Sequence, residues 1–496
     1  MTLAATSTFF VAPRHRRATT STATTSTPLT TTTSTIATTA ALLFGRNRGE
    51  RLSSRSASSA VASASSSSSS SSDAATAAPP SSLPTFEGRV AWHGPELMRN
   101  PDEWTHVFTA DEVAELDSAL ALAESRGLDV IQLDTDNFPL PTLAPRLLEL
   151  RDELVEGRGI ALMRGLPVHR YTSWQVCAAF YGMGAHLGWP CPQNAKGHVL
   201  GHVKDLGNDP DDPATRIYTT CAAQPFHTDS ADVVGLLCVN NSLEGGESQV
   251  VSTVAIWNEL VRTKPHLAEV LTQPFPVDRK GEVPPGKRPT YDMPIFHRHS
   301  ANADATSTSR TSTPNCTVGK VSDGVDDVNG VNARSNSPRG ESVSEGKGHG
   351  SGSGKGESEA GEDLLSGIYD RNFIKSAQAR FTESDGVPRL TPLQIEALDA
   401  LDALCDDDRL RLDMRLEPGD IQWLHNHTTL HARSSYTDGG PEPSRRHLLR
   451  LWITPPNARP LPPLFAERFG TTEVGPSRGG IRVEGQTPYC ALEPGA

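Results

Sequence analysis

The sequence predicts an α+β fold: a β-sandwich or jelly-roll core with helices packed outside it, a disordered N-terminal tail and a long disordered internal insertion. Two observations carry this prediction. Up to Pro190 the apolar spacing is mostly helical, and after it short strand-like runs alternate with Gly, Pro, Asn and Asp. Two long stretches, in turn, lack the apolar content that would offset chain entropy. Residues 1–83 are dominated by Ser, Thr and Ala, and residues 299–363 by Ser, Gly, Asn and charge, as in "GKGHGSGSGKGESEAGE". What remains is one large domain with a substantial core, residues 84–485, interrupted by 299–363 and followed by a C-terminal tail, 486–496.

The elements follow in order. "TADEVAELDSALALAESRG" has helical spacing, with Thr109 or Asp111 as N-cap and Gly127 as the stop. "PTLAPRLLELRDELVEGRG" reads as a second helix and "GIALMRGLPV" as a buried strand. "TSWQVCAAFYGMGAHLG" is a third helix, capped by Thr172 or Ser173. The strand-like runs are "IYTTC", "DVVGLLCV", "SQVVSTV", "DIQWLHN" and "RHLLRLWI". One more helix, "TPLQIEALDALDALCDD", opens at Thr391-Pro392 before the last strands. No internal repeat is present.

Bulk properties narrow the function. A net charge of −13 with no basic stripe in the ordered part argues against a nucleic-acid partner. The longest apolar runs are far shorter than a membrane span. The seven cysteines are scattered without paired spacing, the usage of a reduced compartment. No acidic residue precedes Glu50, whereas Arg14, Arg16, Arg17, Arg46 and Arg48 do. With the Ser/Thr content this fits a transit peptide, mitochondrial ahead of plastid; the plain alternative is a disordered tail on a cytoplasmic protein. Nothing in the sequence sets the oligomeric state.

The chemistry gathers around "FHTD". Residues i and i+2 of a strand face one side, so His227 and Asp229 can both point inward. They would be two corners of a 2-His-1-carboxylate triad, which leaves open positions on Fe(II). Alone the pair is a weak signal and needs a third ligand. "GDIQWLHNHTTLHAR" offers His425, His427 and His431, all of one parity, so alternation cannot choose among them. The "HNH" cluster reads as a turn, which leaves His431 to face inward from "TTLHAR"; the other histidines are then hydrogen-bonded structural residues. Downstream, Arg446, Leu448 and Arg450 share one strand face. Two inward arginines are costly unless they meet anions, either a bound carboxylate or acidic neighbours in the protein.

Taken together, "FHTD…GGES…GD…LHAR…RRHLLRLW" resembles the TauD/TfdA family of Fe(II)/2-oxoglutarate-dependent oxygenases, on its clavaminate-synthase-like branch. The resemblance extends through "RGIALMRGLPV", "YDRNFIKSAQAR", "LPPLFAERFG" and "RGGI", roughly residues 85 to 485. It implies a double-stranded β-helix core. It makes His227, Asp229 and His431 the iron ligands, with no ligand role for His425 or His427. Arg446 and Ser248 would anchor the far carboxylate of 2-oxoglutarate, and Arg450 matches a position that contacts substrate in taurine dioxygenase. The reaction implied uses Fe(II), 2-oxoglutarate and O2, releases succinate and CO2, and hydroxylates a small organic substrate. An acid group on that substrate is one reading of Arg450; the near end of 2-oxoglutarate or a protein carboxylate are the others. "CAAQPF", just before the triad, departs from taurine dioxygenase and argues against taurine itself.

The interval from Asp229 to His431 is longer than such a site needs, but residues 299–363 lie inside it, and loop closure costs only about 0.6 kcal/mol per doubling of length. Two other classes compete. A metal-dependent hydrolase would not need an inward Arg446, and a non-catalytic binding jelly roll would not need the whole triad. Within the family, desaturation or ring closure would use the same ligands as hydroxylation.

Overall fold

The computed structural model describes residues 83–212, 215–300, 363–440 and 444–495. The expected transit peptide and nearly all of the expected insertion lie outside the described residues. The edges of those intervals do not behave as tail or insertion. His299 and Ser300 end the strand Phe296–Ser300, and Asp363 begins its antiparallel partner, Asp363–Gly367. Leu83 packs against the core. Past residue 485 the chain is also joined to the domain: Tyr489 bridges His198, and the Ala491 carbonyl accepts from the His202 ring.

Two antiparallel-rich sheets face each other. The larger has the order Thr105–Val107, Ile160–Arg164, Ile421–His425, Val233–Asn240, His447–Thr454, with Trp189–Pro190 and Leu200–Val203 both on the last strand. The smaller has the order Leu412–Met414, Ser248–Ser252, Thr429–Arg433, Gln224–His227. The chain alternates between them. It passes from Gln224–His227 to Val233–Asn240 and back to Ser248–Ser252; later it runs Leu412–Met414, Ile421–His425, Thr429–Arg433, His447–Thr454.

Side-chain alternation explains the layers. Leu448 and Trp452 point between the sheets and meet Val250, Leu412 and Met414 of the smaller one. Their neighbours Leu449, Leu451 and Ile453 point the other way, onto Phe180, Met183 and Leu187 of the helix Ser173–Leu187. On the smaller sheet Val251, Leu430 and Ala432 face outward, onto Trp257, Leu260 and Leu401 of the helices Thr253–Thr263 and Pro392–Cys405. Four layers result, helix–sheet–sheet–helix, each interface with period 2 on the sheet side. Gly235 is needed where the larger sheet carries Trp423, because an added Cβ would lie 2.3 Å from the indole.

The expected helices form, and their caps show why. Thr109, Thr172 and Thr391 each accept from the backbone three residues on, while Glu112, Gln175 and Gln394 reach back, giving three capping boxes. Two strand expectations fail. "IYTTC" is a 3-10 turn, Ile217–Thr219, rather than a strand. "SQVVSTV" is a strand only to Ser252, whose hydroxyl accepts from the Ala255 N–H and starts a helix. The helix Arg371–Arg380 in "YDRNFIKSAQAR" was also not anticipated from the residues; Asp370 caps it.

A second polar core pins the ends of the larger sheet. Asp232, fully buried, is ion-paired with Arg478 and, at 2.8 Å, with Nε2 of His427. Burial alone would raise the Asp232 carboxyl, but the His427 hydrogen bond and the Arg478 charge hold it below the usual carboxylate range. Replacing Asp232 with Ala should lower the unfolding free energy by about 3–5 kcal/mol, because two buried cationic or polar partners lose their anion. Urea unfolding checks this, and a loss below about 1 kcal/mol would show that the network is dispensable.

Candidate metal centre

The centre arises from one register. The strands Thr429–Arg433 and Gln224–His227 run antiparallel with His431 directly opposite His227, and the register shifts between His431 and Arg433. The two rings lie 4.2 Å apart, centroid to centroid. Asp229 lies just beyond the strand end, where the Asn426 side chain accepts from its backbone N–H at 3.0 Å. Between them, the Thr228 N–H donates to the Tyr369 carbonyl at 2.8 Å. The smaller sheet thus ends in a fixed corner. One ligand atom from each of His227, Asp229 and His431 lies within 4.8 Å of the others, the one such group of His, Cys, Asp and Glu among the described residues.

Protonation favours a cation there. Nδ1 of His227 donates to the Pro225 carbonyl at 2.9 Å, which leaves the lone pair on Nε2; the Gln224 amide now donates to it, also at 2.9 Å. Burial pushes His431 down to about 3, so its imidazole is neutral. Burial opposes ionisation of Asp229, yet Arg450 holds its carboxyl below the usual range. Oδ2 of Asp229 and Nδ1 of His431 are buried without a hydrogen-bond partner. The neutral His431 ring, the Nε2 lone pair of His227 and one carboxylate with an orphaned oxygen suit Fe(II) in a facial triad.

The other histidines stay out. Nδ1 of His425 meets the Thr428 hydroxyl at 2.9 Å, and His427 belongs to the Asp232 network. Both are structural, as the turn reading of "HNH" expects.

The arginines divide differently from the expectation. Arg450 points inward, but its Nη1 donates to Oδ1 of Asp229 at 3.1 Å and its Nε to Gln193 at 2.9 Å. Of the three readings offered by the sequence, the protein carboxylate is the one seen here. The indole of Trp452 and the phenol of Tyr218 flank the guanidinium at 4.8 and 4.9 Å. Arg446 instead lies against the Gly245-Gly246 turn, donating from Nη2 to the Gly246 carbonyl at 3.3 Å. Gly246 has φ 77, and an added Cβ there would come 2.8 Å from Nε of Arg446, so this approach requires glycine.

Arg446 and Ser248 line one pocket together with His227, His431 and Arg433. Arg433 was not singled out from the sequence, although it shares the inward parity of His431 on the same strand. Both guanidiniums stand 4.9 Å from the Tyr436 ring. Burial and the neighbouring Arg446 push Arg433 down to about 10. Nε and Nη1 of each arginine are buried without partners. Two like charges with orphaned donors in one pocket call for an anion. Ser248 lines that pocket too, with its hydroxyl hydrogen donated to Oε1 of Gln422 at 2.9 Å.

Comparison with known proteins bears on this geometry. The family described as "Taurine catabolism dioxygenase TauD, TfdA family" matches residues 123–338 and 362–452. FR-33289 synthase of Streptomyces rubellomurinus (strain ATCC 31215) is 27% identical over 388 residues, covering 77% of this chain and 94% of that protein. Taurine hydroxylase-like protein SAT17 of Stachybotrys chartarum (strain CBS 109288 / IBT 7711) is 25% identical over 386 residues, 74% of this chain and 81% of that one. Among solved structures, asparagine oxygenase with Fe(II), 2S,3S-3-hydroxyasparagine and succinate aligns with a TM-score of 0.44 at 15% identity, over 71% of this chain and 93% of that chain.

Equilibrium dialysis under argon should find one Fe(II) per chain, and His227→Ala, Asp229→Ala and His431→Ala should each lose it. His425→Ala should keep the metal whatever its effect on stability. Retention of iron by any of the first three would contradict the ligand set.

Proposed function

Because this chain belongs to the TauD/TfdA family of dioxygenases, we propose that it is an Fe(II)- and 2-oxoglutarate-dependent oxygenase that hydroxylates a small organic substrate, releasing succinate and CO2. The observation that carries the reading is the pocket in which orphaned donors of Arg446 and Arg433 share walls with His227 and His431. A hydrolytic metal centre does not need such a site, whereas a dicarboxylate co-substrate does. The alternation of consecutive strands between two facing sheets supports a double-stranded β-helix, or jelly roll, as the core.

His227, Asp229 and His431 would hold the iron. When bound, Fe(II) supplies the redox chemistry that couples O2 and 2-oxoglutarate to hydroxylation. The chain's own residues position and shield. The Pro225 carbonyl fixes the His227 tautomer, so its Nε2 presents a lone pair without rotation. Arg450 keeps Asp229 ionised and orients it through Oδ1, leaving Oδ2 for the metal. Arg446, with Arg433, binds the far carboxylate of 2-oxoglutarate and so aims its keto acid end at His227 and His431; Ser248 joins them only by turning its hydroxyl hydrogen from Gln422 to that carboxylate. Leu236, Leu416 and Leu448 supply apolar wall to the same pocket.

Anaerobic addition of Fe(II) and 2-oxoglutarate should produce a weak metal-to-ligand charge-transfer band in the visible. In Arg446→Met the band should need about ten to a hundred times more 2-oxoglutarate, the cost of about 1.5–3 kcal/mol for a charged hydrogen bond. A silent wild-type spectrum contradicts the oxygenase reading. An unchanged affinity in the variant contradicts the assignment of Arg446.

A further inference from the structure

The strand Gln224–His227 stands last in the smaller sheet, paired on one side with Thr429–Arg433. Its other side is met by the short connection between the strand Asp363–Gly367 and the helix Arg371–Arg380. There Asp370 forms an isolated antiparallel bridge with His227. The bridge falls on the metal motif itself.

Thr228 carries most of this contact. His227 and Asp229 turn toward the metal corner, so alternation turns the side chain between them to the other face. Its hydroxyl accepts from the Tyr369 N–H at 3.1 Å and reaches the Tyr369 carbonyl at 3.3 Å. Its own N–H donates to the same carbonyl at 2.8 Å. The Thr228 carbonyl in turn accepts from Arg468 at 3.3 Å. Thr228 is buried, and each of its polar groups is engaged.

Tyr369 is held from two helices. Its phenol, also buried, donates at 2.5 Å to Oδ1 of Asp402, on the helix Pro392–Cys405. Arg371 donates to Oδ2 of that carboxylate at 3.3 Å. The next residue, Asp370, caps the helix Arg371–Arg380 by accepting from the N–H groups of Asn372 and Phe373. Covering a strand edge calls only for backbone pairing. Here a buried side-chain hydroxyl completes the pairing, and it does so at the residue flanked by two candidate ligands.

We propose that Thr228 and Tyr369 are positioning residues for the metal: their clamp, anchored at Asp402, holds His227 and Asp229 in the orientation in which they meet His431. The inference rests on the ligand set of the oxygenase reading and adds the residues that orient it from behind. Asp229 lies beyond the strand end, where the Asn426 side chain holds its N–H, and the clamp supplies a second constraint one residue earlier. It also gives a task to "YDRNF", a motif to which the proposed chemistry assigns none. Partners that orient a metal ligand are commonly worth about ten- to a hundredfold in metal affinity.

The test compares full-length wild type with Thr228→Val, which keeps the shape and removes the hydroxyl, Thr228→Ser, which keeps the hydroxyl, and Tyr369→Phe, which frees the clamp from Asp402. Fe(II) affinity is measured under argon by competition with a chromophoric chelator. The visible spectrum of the Co(II)-loaded protein records ligand geometry, and urea unfolding of the apo-protein records stability. Thr228→Val should weaken Fe(II) about ten- to a hundredfold and shift the Co(II) bands, while Thr228→Ser stays within about threefold of wild type. Tyr369→Phe should weaken Fe(II) by about threefold or more, and it reports even if Thr228→Val does not fold. A merely structural clamp gives the opposite pattern: Thr228→Val and Tyr369→Phe are less stable, yet keep the Fe(II) affinity and Co(II) spectrum of wild type. That result overturns the inference, as does a Thr228→Ser that binds as weakly as Thr228→Val. Wild type that binds no Fe(II) overturns the oxygenase reading instead, and this inference falls with it.

Discussion

The pairing of His431 with His227 across two antiparallel strands is the constraint on which the site depends. A slip of one residue would turn Leu430 or Ala432 inward and send His431 to the helix-covered face. The slip is forbidden from both sides. Outward, Leu430 and Ala432 belong to the apolar layer under Thr253–Thr263 and Pro392–Cys405. Inward, Val250 opposite His431 packs against the larger sheet. The apolar pattern that folds the smaller sheet is thus the same pattern that delivers two imidazoles to one corner. Arg433 comes with them, two residues on and on the same face, while the register shift falls in the opposite strand, Gln224–His227.

Buried charge gathers in two places in this protein. The Asp232 network sets an anion between Arg478 and His427 and ties the C-terminal segment to the sheet, although Oδ2 of Asp232 and Nε of Arg478 also lack hydrogen-bond partners. Around the triad the balance is deliberately short. Arg433, Arg446 and Arg468 each keep a buried nitrogen without a partner, and Asp229 keeps a buried oxygen without one. Such groups are costly in a finished core and are tolerated where a ligand completes them. Two of these arginines, Arg433 and Arg446, line the pocket they share with His227 and His431.

Much of this was legible in the residues because it is written in short periods. Cap residues mark three helices, parity puts His227 with Asp229 and Arg446 with Arg450 on shared faces, and the reading of "HNH" as a turn leaves His431, although His425 itself ends the strand Ile421–His425. Other features depend on what the chain meets far away. Whether "SQVVSTV" continues as a strand depends on Ser252 accepting from Ala255, and "IYTTC" has strand composition but no neighbouring strand to pair with in the described sheets. Parity set the direction of Arg450 and left its partner open among three anions. The hold on Thr228 was not legible at all. Tyr369 lies 141 residues away in a connection that carries no period, and only the folded chain brings its backbone to the metal motif.

The central claim is that one strand register places the His227, Asp229 and His431 triad beside a pocket lined by the paired cations Arg433 and Arg446. The most direct measurement is an anaerobic crystal structure of the protein with Mn(II), as a redox-silent stand-in for iron, and 2-oxoglutarate. The account predicts a single metal bound by His227, Asp229 and His431, with the far carboxylate of 2-oxoglutarate at hydrogen-bonding distance from Arg446. A metal seated on His425 or His427, or a co-substrate carboxylate held at Arg468 instead of Arg446, would contradict it.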